Sequence, residues 1–147
     1  RLIDAGLDPQ NIVQIGIADY SNSADYSKLA KQLGVNVIPR DQLRRETVAQ
    51  IWHRAMSLLD HVEQVYVDID VDVCDRSFVP ACPAAAPGGI SADELRQFAF
   101  KAGNSKKVVA LDITEIDATN DAVDERTIRL AALLILEAAA GLGLRQP

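Results

Sequence analysis

Four short apolar runs, each followed by a stripe of helical periodicity, limit what this chain can fold into. The runs are Ile12 to Ile17, Val35 to Ile38, Val65 to Asp70 and Val108 to Ile113. Each is short and rich in β-branched residues, as expected of strands buried within a sheet. Apolar residues then recur every three or four positions: Tyr26, Leu29, Ala30 and Leu33; Val48, Ile51, Trp52, Ala55, Leu58, Leu59 and Val62; Leu95, Phe98, Ala99 and Ala102. Gly34 and Gly103 are expected to end the first and third helices. Ser91 with Glu94 three residues on reads as a capping box, and Trp52 reads as core. A last helix, about Thr127 to Ala140, is apolar on most faces and is expected to be buried. Strand–helix alternation repeated four times predicts an α/β fold with a parallel sheet and right-handed crossovers.

The 147 residues carry a formal net charge of −6 and contain no run of five basic residues. This argues against a nucleic-acid or anionic-membrane surface, since both require clustered Lys and Arg. The apolar stretch from Leu130 to Ala140 is interrupted by Glu137 and falls short of the ~20 residues needed to span a bilayer. The start, Arg1-Leu2-Ile3-Asp4, has no signal-peptide character. Because it opens on Arg1, the chain is read as a fragment, a processed chain or a trimmed piece. Cys74 and Cys82 share one Pro-rich loop at a spacing that fits no usual zinc pattern. Two free thiols in a reducing cytoplasm are expected, with a local disulfide as the alternative.

Ligands of open parallel sheets bind beyond the carboxyl ends of the strands. Acidic residues stand at three of those ends: Asp19 after the first strand, Asp70-Val71-Asp72-Val73-Cys74-Asp75 at the third, Glu115 and Asp117 after the fourth. Asp68, Asp70 and Asp72 alternate with Val67, Ile69, Val71 and Val73, which strand geometry would place on one face. Carboxylates so close beside a buried sheet repel unless protonated or bound to a cation. Oxygen ligands suit a hard ion such as Mn²⁺ or Mg²⁺. The bland alternative is a solvated acidic loop. An EF-hand is excluded, because counting from Asp68 its obligatory Gly and Glu positions hold Val73 and Val79. His53 and His61, eight apart, do not align on a helix face. Gly88-Gly89 reads as a turn before a helix, and not as a phosphate loop. The irregular segment from Val71 to Ile90 is too long for a mere connector and is expected to be functional.

The stretch from Asp68 to Ala81, then Pro87-Gly88-Gly89-Ile90-Ser91, resembles the ureohydrolases: arginase, agmatinase, formimidoylglutamase and relatives. Their pattern is a strand ending Ser-x-Asp-x-Asp-x-x-Asp-Pro, then Pro-Gly, then Pro-Gly-Gly before a helix. Leu111 to Asp117 is similar to the family's later Asp-x-x-Glu-x-Asn-Pro segment, and the resemblance runs from about Leu2 to Gly141. It implies a three-layer α/β/α architecture with a mainly parallel sheet, of which residues 1–147 would be the C-terminal half of a single domain. It also implies a trimer or hexamer.

The resemblance further implies that Asp70 and Asp72 are two ligands of a binuclear manganese cluster. Asp68 and Asp75 would support the loop or sit behind the ligands. Glu115 would hold the amidine or guanidine group of a small substrate. In such a site two Mn²⁺ ions acidify a bridging water, giving hydroxide that attacks the planar carbon. The Arg126-Thr127-Ile128-Arg129-Leu130-Ala131-Ala132 segment resembles formimidoylglutamases, which points to N-formimidoyl-glutamate, with agmatinase or another guanidino hydrolase next. Departures from the pattern are Asp68 for Ser, Arg76 for Pro, Ala81 for Gly, and Asp117-Ala118 for Asn-Pro. The family's Gly-Gly-Asp-His and Asp-Ala-His-x-Asp segments do not occur in this sequence. Four of the six usual ligands are therefore absent, and the isolated chain is expected to be inactive. The rival readings are a haloacid-dehalogenase-type phosphatase, whose Asp-x-Asp normally opens the fold, and a non-catalytic relative.

Overall fold

A computed structural model describes residues 1–145, which form two compact units divided between Val62 and Glu63. In the first unit, β1 (Val13–Ile17) leads to α1 (Ala24–Leu33), β2 (Asn36–Pro39), α2 (Arg40–Leu43) and α3 (Val48–Leu58). The two strands pair in parallel, from Val13 opposite Asn36 to Ile17 opposite Pro39. Ser23 caps α1 by accepting from the Tyr26 N–H at 3.2 Å, satisfying one of the free donors of its first turn. Gly34, at φ 85°, closes that helix, and its N–H turns back to the Ala30 and Lys31 carbonyls.

A second capping box, unforeseen from the sequence, starts α3, where Thr47 and Gln50 satisfy each other's backbone donors. Val48, Ile51 and Ala55 form its buried stripe. Trp52, expected in the core, is only half-buried. The α1 stripe is likewise not core, because α1 buries none of its residues. The Arg54 guanidinium donates to Gln42 and Glu46, tying α2 and the turn after it to α3.

The second unit holds β3 (Val65–Asp70), α4 (Ala92–Asn104), β4 (Val108–Thr114) and α5 (Arg126–Gly143). β3 and β4 pair in parallel, with Asp68 opposite Asp112 and Asp70 opposite Thr114. The capping box at Ser91 and Glu94 forms as expected. Helix α4 does not stop at Gly103, however. It continues to Asn104, and Ser105 caps it.

Gly103 is needed instead for a close helix crossing. A Cβ there would lie 2.0 Å from the Ala138 carbonyl oxygen of α5. Gly141 is its counterpart, where a Cβ would lie 2.2 Å from the Phe100 carbonyl oxygen. Arg96 adds a charged clasp to Glu137 at 2.6 Å. The expectation that α5 is buried on most faces is corrected. Only the stripe of Thr127, Leu130, Leu134, Ala138 and Gly141 is buried within the described residues, while Ile135, Leu136 and Leu142 are more than half exposed. The composition of α5 is apolar all round, but a single partner helix covers only one side of it.

Candidate active site

Side chains of β3 alternate as a strand requires: Val65 and Ile69 are buried, while Tyr66, Asp68 and Asp70 lie on the other face. The expected alternation stops at Asp70. Val71–Val73 form a 3₁₀ turn, so Asp72 is carried by that turn and not by the strand. The Asp70 carboxylate bends the chain there by accepting from the Asp72 N–H at 3.1 Å, and fully buried Val71 anchors the turn. The carboxylates still gather. Burial raises the Asp72 pKa, and the charges of Asp70, Glu115 and Asp68 raise it further. Carboxylates from the ends of two strands are thus near enough to repel Asp72, although Asp72 reaches them from a turn and not from the strand face that sequence reasoning expected. Asp19 instead comes after β1 in the first unit, exposed. Asp117 turns its carboxylate to the Thr119 N–H, the Thr119 hydroxyl and Asn120, which hold its pKa down.

The long loop after Asp72 is organised by its own polar groups. Cys74 and Ile90 form a parallel bridge, with the Asp75 N–H donating to the Ile90 carbonyl and the Ile90 N–H to the Val73 carbonyl, both at 2.9 Å. Gly89 permits this contact, since a Cβ there would lie 2.2 Å from the Asp75 nitrogen and the Cys74 carbonyl carbon. The Asp75 carboxylate accepts from the Ser77 hydroxyl (2.6 Å), the Ser77 N–H (2.9 Å) and the Gly88 N–H (2.7 Å). These bonds, the Ser77 hydroxyl foremost, hold its pKa at about 2.

Arg76, where the resembled pattern has Pro, closes the loop in another way. Its guanidinium donates to the Cys82 and Ala85 carbonyls at 3.1 and 3.3 Å. Both cysteines are free and buried, and burial pushes the Cys74 thiol up to about 12.

The β4 end is held from several sides. The Thr114 hydroxyl donates to Asp68 at 2.9 Å across the strand pair. Glu115 comes next, in the left-handed region at φ 64°, unusual for a non-glycine residue. The Asp117 N–H then donates to the Ala81 carbonyl at 2.9 Å. The Ala81 N–H donates to the buried Thr127 hydroxyl at 3.1 Å, which itself donates to Asp121 at 2.8 Å. Thr127 thereby joins the loops after β3 and β4 to the start of α5. Sequence reasoning missed this role, since a lone Thr in a helix carries no signal of its distant partners.

Asp112 and Tyr66 were missed too. The Tyr66 phenol bonds to the Asp112 carboxylate, and with burial and the Asp112 and Asp68 charges this raises its pKa to about 12. One Asp112 oxygen is buried with no hydrogen-bond partner. The strand register, which sets Asp112 beside Asp68, is what would have pointed to it.

The donor set suits a hard cation in chemistry but only partly in number. Mutual repulsion at Asp72 is what a divalent ion relieves. Yet among the described residues no group of three or more His, Cys, Asp and Glu side chains could hold a metal ion. His53 and His61 do not add to it. Both are exposed, and His61 bonds Asn11 at 2.7 Å.

The strand pair β3–β4 presents acidic side chains at its carboxyl end, with the Pro-Gly-Gly turn packed against the Asp loop. The profile described as arginase family matches residues 1–141, and the chain belongs to that family, with its α/β fold. Its likeness to particular members is more specific. It is 38% identical over 133 residues to the formimidoylglutamase of Halalkalibacterium halodurans, covering 90% of this chain and 41% of that protein. The crystal structure of the Bacillus subtilis formimidoylglutamase superposes with a TM-score of 0.93 at 32% identity, covering all of this chain and 46% of that one. The Trypanosoma cruzi formiminoglutamase, solved with Mn²⁺, shares the fold at 18% identity and a TM-score of 0.87. The chain spans less than half the length of the curated relatives it matches.

Proposed function

We propose that this chain supplies one half of the active site of a manganese-dependent ureohydrolase acting on N-formimidoyl-glutamate, releasing glutamate and formamide. What carries this reading is membership of the arginase family over residues 1–141, supported by the repulsion that Asp70 and Glu115, from the ends of two adjacent strands, exert on Asp72. Asp70 and Asp72 would be metal ligands, and Asp75 holds the loop that presents them. Two Mn²⁺ ions, when bound, supply the acidity that makes water nucleophilic at neutral pH. Glu115 would receive the substrate's amidinium, because a carboxylate pairs with a planar N–C–N cation through two parallel hydrogen bonds. That pairing orients the carbon for attack and favours a cation over neutral amides.

The rest of the metal site would come from outside these residues, since two aspartates bind Mn²⁺ weakly. The working enzyme is accordingly a longer protein, and we expect it to be a homo-oligomer. The likeness to formimidoylglutamases over most of the chain favours formimidoyl-glutamate over guanidino substrates.

The test is an assay of the full-length protein with Mn²⁺ against formimidoyl-glutamate, agmatine and arginine, with separate detection of formamide and urea. Formamide release that Glu115→Gln abolishes is the expected result. Urea release would move the assignment to a guanidino hydrolase. Absence of both, or turnover by residues 1–147 alone, would overturn the proposal.

A further inference from the structure

We propose that Asp68 and Thr114 are positioning residues for Glu115, an anchor built from the Asp that stands where the resembled pattern has Ser. The inference deepens the reading of Glu115 as the amidine-binding carboxylate and rests on it.

A non-glycine residue in the left-handed region is strained and persists only where its surroundings dictate it. Glu115 is such a residue, at φ 64°, directly after the last residue of β4. Two hydrogen bonds bracket it. On the N-terminal side the Thr114 hydroxyl donates to Asp68 at 2.9 Å, although the two residues are 46 apart in sequence. On the C-terminal side the Asp117 N–H donates to the Ala81 carbonyl at 2.9 Å. Asp68 and Thr114 lie diagonally on adjacent parallel strands, since Asp68 faces Asp112 and Thr114 faces Asp70. A carboxylate is long enough to reach along that diagonal, whereas a serine hydroxyl sits one bond closer to its own backbone. The charge of Asp68 strengthens the bond, because an ionised acceptor holds a hydroxyl more firmly than a neutral one.

Asp68 therefore acts through Thr114 on Glu115, the carboxylate that would bind the substrate. With the anchor removed, Glu115 can relax to an ordinary conformation and its carboxylate swings away from the position the strand ends dictate.

The experiment uses the full-length enzyme with Mn²⁺. Thr114→Val keeps the shape and removes the hydroxyl, Thr114→Ser restores the donor, Asp68→Asn keeps an acceptor, and Asp68→Ser installs the residue of the resembled pattern. Thr114→Val and Asp68→Ser should raise KM for formimidoyl-glutamate about tenfold, the size of one lost charge-assisted contact. Bound manganese should stay unchanged, Thr114→Ser should bring KM back towards the parent, and Asp68→Asn, which keeps an acceptor without the charge, should fall between the parent and Thr114→Val. A crystal structure of Thr114→Val should find Glu115 out of the left-handed region. Unchanged KM in Thr114→Val, manganese lost in step with activity, or Glu115 remaining near φ 64° would each overturn the proposal. If the parent enzyme hydrolyses no amidine, the functional reading fails, while the Glu115 conformation in Thr114→Val still decides whether the anchor exists.

Discussion

Replacing Gly89 by alanine tests whether the Pro-Gly-Gly turn is the support under the aspartate loop. Gly89 is not in the left-handed region, so the substitution carries no intrinsic backbone strain and isolates the question of space. The added Cβ would lie 2.2 Å from the Asp75 nitrogen and the Cys74 carbonyl carbon, both backbone atoms. Ordinary carbon contacts need about 3.5–4.0 Å, so one backbone must move by more than about 1 Å. No side-chain rotation relieves it.

Two bridge hydrogen bonds at 2.9 Å and the Gly88 N–H to Asp75 bond at 2.7 Å lie in the path of that movement. Overpacking costs about 1–3 kcal/mol and each weakened hydrogen bond about 1 kcal/mol, so a loss of roughly 2–4 kcal/mol is expected. That corresponds to a fall in Tm of roughly 5–15 °C in a domain of this size or somewhat larger. Differential scanning calorimetry measures it. Because Asp72 and Asp75 ride on the displaced segment, kcat/KM should fall further than stability alone explains, by up to about a hundredfold for a displacement of about 1 Å. A Gly89→Ala protein with Tm within about 1 °C of the parent, roughly the precision of the measurement, and unaltered manganese binding would refute the close-approach argument.

Three other outcomes rest on the charges and thiols. In metal-free protein near neutral pH, Asp72→Asn should raise Tm, because the raised Asp72 pKa marks a carboxylate whose ionisation is unfavourable in the fold, so stability falls as pH rises through that pKa. Added Mn²⁺ should raise the Tm of the parent and have little effect on Asp72→Asn, and an equal shift in both would remove Asp72 from the metal site. Asp75 has the opposite sign. Its pKa of about 2 lies below the ordinary carboxylate range, so its contribution is complete above about pH 4 and is lost as pH falls towards 2. Asp75→Asn should flatten the acid limb of a Tm-against-pH curve in that window, and an unchanged limb would contradict the reading. Cys74, with its thiol pushed up to about 12, and Cys82, likewise raised by burial, should resist iodoacetamide at about pH 8 in the folded protein and react fully in denaturant. Alkylation of the native protein at the rate of a free thiol would show that the loop opens.

The order of elements was legible because periodicity is a local record of which face is apolar. The strand Val65–Asp70 emerged with the bounds expected, and the Ser91–Glu94 box capped the helix it announced. The acidic residues at the strand ends were legible because they follow the apolar runs directly, but the buried setting expected for them was not found on β3, where Tyr66 and Asp68 are exposed. The sequence did not carry the points where distant backbone decides the local outcome. Gly103 reads as a helix terminus by local rules, yet it lies inside α4 because α5 approaches too closely for any side chain. Asp72 reads as a strand position, yet Asp70 captures its N–H and turns the chain. The buried fraction of α5 depends on how many neighbours cover it, which composition cannot count.

By itself, then, the sequence determined the alternating α/β order and the identity of the acidic residues at the strand ends, since both depend on spacing along the chain. Only the tertiary structure decided the left-handed Glu115, the Asp68–Thr114 bond across strands and the Thr127 junction. Those depend on register and on contacts between residues 46 apart in sequence, which no local pattern encodes.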